Sequence, residues 1–139
     1  MVPQIKISLV GVLAAGVANM VVGAVWYSPL LFGKRWLAFM GWSQEELERR
    51  KKQGMSRAYG GTFAASLVQA YILAHGVDYA GAASAIQGAA VGFWLWLGFV
   101  AATGVGSYLF EGRPLRLYAI NSGCHLAGLA VMGALVSVL

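Results

Sequence analysis

The run YAGAASAIQGAAVGFWLWLGFVAATGVGSYLF, residues 79–110, contains no Asp, Glu, Lys or Arg in thirty-two consecutive positions. As one helix it would reach about 48 Å at about 1.5 Å per residue, well beyond a bilayer core of about 30 Å. Gly81 to Ser84 therefore belong to a turn, and a membrane span begins near Ala85 and ends near Leu109. Three more stretches free of charge lie at 7–33, 58–77 and 117–139. Unpaired backbone N–H and C=O groups are not tolerated in lipid, so runs of this length are helices. A soluble helical core would need polar faces at helical period, and these runs have none. The predicted fold is all-α, one domain of four spans at about 6–27, 57–77, 85–109 and 116–138, with a linker at 28–56.

Composition agrees. Of the 139 residues, 59% are hydrophobic and 11% charged, against roughly 25% charged in soluble domains, and the mean hydropathy is +0.68. This excludes a water-soluble globule, a disordered tail and a nucleic-acid module built on a basic surface. The single cysteine, Cys124, excludes an intrachain disulfide framework and CxxC redox or zinc sites.

The charges are unevenly placed. Lys34, Arg35, Arg49, Arg50, Lys51, Lys52 and Arg57 lie between the first two spans, and Arg113 and Arg116 between the last two. That puts nine of the ten basic residues on one side, with only Lys6 opposite. The positive-inside tendency assigns that side to the cytoplasm and both termini to the outside. A cleaved signal peptide is disfavoured because its apolar run would be shorter and its basic residues would come first.

Within the linker, residues 26–42 (WYSPLLFGKRWLAFMGW) mix aromatics with two cations. They predict a short helix in the inner interface, with Pro29 in its first turn and Phe32, Trp36 and Phe39 toward lipid. Residues 43–54 predict a solvated helix in which Ser43 and Glu46 form a capping box and Gly54 is the stop. Glu45/Arg49, Glu46/Arg50 and Glu48/Lys52 are i, i+4 pairs there. Beyond topology, the seven basic residues of this linker are candidate contacts for anionic lipid headgroups or a partner protein.

Segments 25–36 (VWYSPLLFGKRW), 98–102 (GFVAA), 107–114 (SYLFEGRP) and 121–125 (NSGCH) resemble those of one family. It is the bacterial membrane family catalogued as domain of unknown function 1761. The resemblance covers nearly the whole chain. It implies a four-span protein of a bacterial cytoplasmic membrane and no particular activity.

Polar residues inside a membrane are expensive and are the first place to look for function. Here they are Asn19, Thr62, Gln69, Thr103, Asn121 and His125. Asn121 and His125 share a face with Tyr118, Gly128 and Met132. Asn19 shares one with Gly11, Ala15, Gly23 and Trp26, while Thr62, Gln69 and Gly76 recur every seven residues. One reading is structural: small residues let helices approach, and the polar groups hydrogen-bond across the interface. The other is a polar site or path in which His125 titrates and Asn19 and Asn121 orient a ligand or water. No intramembrane carboxylate accompanies His125, which disfavours proton-coupled transport. His125 and Cys124 diverge on the helix, so no metal site and no cofactor is expected. Trp94 and Trp96 point to different faces and are candidates for an apolar ligand as well as for packing.

No HExxH, GxSxG, paired cysteines or carboxylate pair is present, so an enzyme is not expected. Three functions remain. The first is a non-enzymatic subunit, assembly or binding protein, packing through glycine faces such as Gly88-xxx-Gly92 into a homo-oligomer or larger membrane complex. The second is a small transporter or channel past Asn19, Asn121 and His125. The third is a membrane-embedded binder or enzyme for a lipid-like molecule. Membrane lipids are the expected surroundings in each.

Overall fold

A computed structural model describes residues 7–139, so Lys6 and its expected outward placement lie outside the described residues. The described chain is helix and turn throughout. The helices are α1 (Leu9–Trp26), α2 (Gly33–Met40), α3 (Gln44–Lys52), α4 (Ser56–Tyr79), α5 (Ala85–Trp96), a π-helical turn (Leu97–Ala101), α6 (Ala102–Glu111) and α7 (Leu115–Val138). α5, the π turn and α6 run on as one rod, Ala85–Glu111.

Local chemistry sets these ends. The Ser8 hydroxyl accepts from the Gly11 N–H at 3.1 Å and opens α1, as Ser-type caps do for the unpaired N–H groups of a first turn. At the start of α5, Ser84 accepts from the Gln87 N–H at 3.2 Å, and the Gln87 amide oxygen accepts from the Ala83 N–H at 2.8 Å. α6 stops at Gly112, whose φ of +66° ends the helix at a left-handed position, and Pro114 precedes α7. Segment 81–84 is a turn, with φ +69° at Gly81, so the rod begins at Ala85 as the charge-free run requires.

Among the described residues, three helices are long and apolar enough to cross a membrane: α1, the α5–α6 rod and α7. α4 has the same 24-residue length as α7 but does not reach that level of hydropathy. The shortfall is compositional: Thr62, Gln69 and His75 dilute its apolar residues. The expectation of four spans is thus met on length by four rods and on apolar content by three.

α7 is the hub, packing against α1, α4, α5 and α6, whereas α4 meets the rod only slightly. Glycine explains how closely the hub is approached. A Cβ on Gly88 would collide with the Gly133 carbonyl and the Ser137 hydroxyl, and one on Gly92 with the Leu129 carbonyl. Here the backbones of α5 and α7 are in contact, as small-residue spacing allows. On the other side, Gly16 of α1 admits Leu67 of α4, whose Cδ2 would stand 2.7 Å from an added Cβ. The buried core is small: Val12, Ala15, Ala70, Leu73, Val77 and Met132. Large apolar side chains instead cover the outside, among them Phe110 at 96% exposure and Ile86 at 84%. Water-soluble monomers rarely expose continuous apolar surface on this scale; for a helix bundle in hydrocarbon it is the ordinary arrangement.

The linker folds tightly. Gly33 lies against the carbonyls of Tyr27 and Ser28, where any Cβ would overlap backbone, and its N–H bonds to Ser28 O at 3.0 Å. Pro29 falls in this turn, ahead of α2. Phe32 stacks on Trp26 with centroids 4.7 Å apart, and Trp36 meets Tyr27 at 5.6 Å and Trp42 at 5.2 Å. Phe32 and Trp36 are thus half-buried against rings at the end of α1 and in the linker.

In α3, Ser43 accepts from the Glu46 N–H at 3.1 Å. The Glu46 carboxylate pairs with Arg49 at 2.7 Å and Arg50 at 3.0 Å, so it does not reach back to the cap. Arg50 also lies 4.0 Å from the centroid of the Trp42 ring, a cation–π contact. The hydrogen bond from Arg49 holds the Glu46 carboxyl below its ordinary pKa. A depressed carboxylate contributes stability above its unfolded pKa and loses it as pH falls through the folded value. Helix content of α3, read by NMR chemical shifts, is therefore expected to fall in acid as Glu46 is protonated, and Glu46→Gln should flatten that pH dependence.

Candidate functional site

The site is built around the π turn. A helix that widens by one residue per turn bonds N–H to the fifth preceding carbonyl, here Ala102 N–H to Leu97 O, and such turns are frequent at functional sites. Both ends of the turn are tied to α7. On one side Trp96 donates its indole N–H to Ser122 O at 2.7 Å. On the other, Tyr118 donates its hydroxyl to Ala101 O. Gly104 makes room for the Tyr118 ring, which stands 3.0 Å from where its Cβ would be.

Around the Tyr118 tie α6 and α7 part to leave a cleft of about 250 Å³. Val100, Gly104 and Leu117 give it apolar walls. Tyr108, Asn121, Ser122 and His125 supply polar groups, and Glu111 and Arg113 also line it. Glu111 and Arg113 pair with each other at 2.8 Å and are half exposed. Ser122 is 7% exposed, and its hydroxyl has no hydrogen-bond partner. A helical serine usually satisfies itself on the preceding turn; the Ser122 oxygen finds no partner among the described residues and lies beneath the cleft wall.

The polar residues singled out from sequence divide into three places. Asn121 and His125 meet in the cleft, where the Asn121 amide oxygen accepts from the Tyr27 hydroxyl at 2.8 Å. Asn19 is elsewhere: its amide donates to Ser66 Oγ at 2.8 Å across α1 and α4, and its oxygen rests against Gly128 of α7. Thr62, Gln69 and Thr103 are exposed on the outside of the bundle, so a continuous path through all six residues is not what the packing makes. Trp94 is 67% exposed and Trp96 is turned inward to α7. The linker cations Lys34, Arg35, Arg49, Arg50, Lys51, Lys52 and Arg57 are all exposed. Among the described residues no three His, Cys, Asp or Glu side chains gather as metal ligands do.

Ser66, Ser122 and Tyr27 escape sequence reasoning, and Tyr118 is read there only as a face neighbour of Asn121 and His125. Serine inside a helix ordinarily bonds its own backbone and sends no signal, and tyrosine near a span end reads as an interfacial anchor. The only available hint for Ser66 is the stripe Ser66, Ala70, Leu73 and Val77, which is the buried face of α4.

Helices alone, an apolar exterior and a polar cleft between two rods define an all-α protein of membrane type. The family model described as a protein of unknown function, DUF1761, matches residues 10–137. The chain belongs to that family. Neither a curated protein nor a solved structure matches it.

Proposed function

We propose that this is a non-enzymatic binding protein of a bacterial cytoplasmic membrane, holding a small amphipathic molecule in the cleft between α6 and α7. In this reading all four long helices cross the bilayer, the linker is cytoplasmic and both termini are outside. The observation that carries it is a cleft that sets the polar groups of Tyr108, Asn121 and His125 among the apolar walls of Val100, Gly104 and Leu117. Ligand sites combine apolar lining with a few convergent polar groups and span about 300–1,000 Å³. At about 250 Å³ this one fits a single chain end or a small ring carrying a hydrogen-bonding head, and is too small for a whole phospholipid. A non-enzymatic role is the reading adopted because the Glu111 carboxylate is already paired with Arg113. A transport path is disfavoured because Asn19 is engaged with Ser66 and stands apart from Asn121 and His125.

Native mass spectrometry of protein released in mild detergent tests this. The expected result is a copurifying small amphiphile in stoichiometric amount. Ser107 is exposed on the cleft wall, so Ser107→Trp should fill the space and remove the adduct with little change in melting temperature. Wild-type protein that is consistently free of adduct, or an adduct that survives Ser107→Trp, would sink the reading.

A further inference from the structure

The outward face of α4 has a pattern that the cleft does not use. Ala58, Thr62, Ala65, Gln69 and Ile72 follow spacings of four, three, four and three, and all five are exposed. That alternation is the seam of a left-handed helix pair, in which each side chain enters a gap in the facing helix. Thr62 and Gln69 occupy equivalent positions seven residues apart, and neither side chain bonds to another helix among the described residues. Gln69 lies roughly 15–20 Å from either end of α4 at about 1.5 Å per residue, too deep for its amide to reach water from inside a bilayer.

We infer that α4 is the contact surface for a second copy of this chain, related by a two-fold axis along the membrane normal, with Gln69 bonded to Gln69 across the axis. This rests on the reading that α4 spans the bilayer. Three observations select a second copy as the occupant. The amide is both donor and acceptor, so it is complementary to itself at a two-fold axis, where every residue of a matched seam meets its own equivalent. A single polar residue at such a seam position sets register and oligomer number in helix pairs. And α4 is the one long helix that falls short in hydropathy, with two of the polar residues responsible facing outward, where only a partner helix relieves them. By contrast, the glycines of α5 expected to join subunits are consumed inside the monomer against α7.

The test uses Cys124→Ser as a background free of native thiols, with single cysteines in membranes. Ala65→Cys should form a disulfide-linked dimer on mild oxidation. Phe99→Cys, on the 75% exposed outer face of the π turn, should not. Adding Gln69→Leu should lower Ala65→Cys cross-linking roughly three- to tenfold, as expected for loss of one intramembrane polar pair, and Gln69→Asn should restore most of it. Equal cross-linking at both cysteines, a monomer, or indifference to Gln69→Leu overturns the inference. Protection of Ala65→Cys from a water-soluble maleimide in the Gln69→Leu background separates the two ideas. A protected but monomeric chain loses only the dimer, whereas rapid labelling means that α4 does not span.

Discussion

Gly92→Leu is expected to leave almost no folded protein in detergent extracts, whatever the oligomeric state. The side chain would be driven into the Leu129 carbonyl, and backbone cannot step aside as a flexible side chain can. Overpacking in tight interiors costs about 1–3 kcal/mol when neighbours can adjust; here α5 and α7 must separate along their closest contact, so the loss should exceed that range. Gly106→Leu is the matched control, because a Cβ there meets nothing within 4 Å. Fluorescence-detected size exclusion with a thermal ramp reads both. A sharp, wild-type-like peak for Gly92→Leu would show that the two helices do not approach as described. The Gly88-xxx-Gly92 face, expected from the sequence to join copies, packs inside the single chain, so the effect falls there.

Asn19→Leu should give the second large loss. Leucine approximates the amide in shape, yet it leaves Ser66, 1% exposed, with no partner for its hydroxyl. A buried polar group stripped of its bond costs about 1–3 kcal/mol, and membrane helix pairs sit toward the low end of that scale. Ser66→Ala strands the amide in the same way. The double variant removes both groups, so it should be more stable than the sum of the single losses, with a coupling of roughly 0.6–1.7 kcal/mol. Additive losses in a thermal or denaturant titration would mean that the 2.8 Å contact contributes nothing. The glycine pair and the asparagine pair act on different sides of α7, so their effects should be independent of each other.

Much of this architecture was legible because its causes are local. Charge-free runs set the rods, Ser43, Gly54 and Ser84 set helix ends, and Asn19 with Gly11 and Ala15 set a buried face. The Gly88-xxx-Gly92 spacing also marks a close helix contact correctly, but not its partner, since a glycine pair accepts a neighbour in its own chain as readily as one in another. The cleft was only half visible. Asn121 and His125 share a face by simple periodicity, whereas the π turn and the orphan Ser122 hydroxyl depend on how Trp96 and Tyr118 reach across to backbone carbonyls. Contacts of that kind leave no spacing rule behind them. Likewise, Thr62 and Gln69 were visible as a seven-residue repeat, while the direction of that repeat, outward, is decided by the burial of Ser66, Ala70 and Leu73 on the other face.

α7 carries its apolar residues on all sides, with no distinct oily and wet faces. Greasiness alone therefore gives it no preferred azimuth. The two indoles supply one. Trp26 grips Ile120 O at 2.9 Å and Trp96 grips Ser122 O at 2.7 Å, and carbonyls two residues apart point about 200° apart around a helix. Like a shaft keyed from both sides, α7 cannot roll without breaking one bond or the other, so two tryptophans set the bearing of Asn121 and His125.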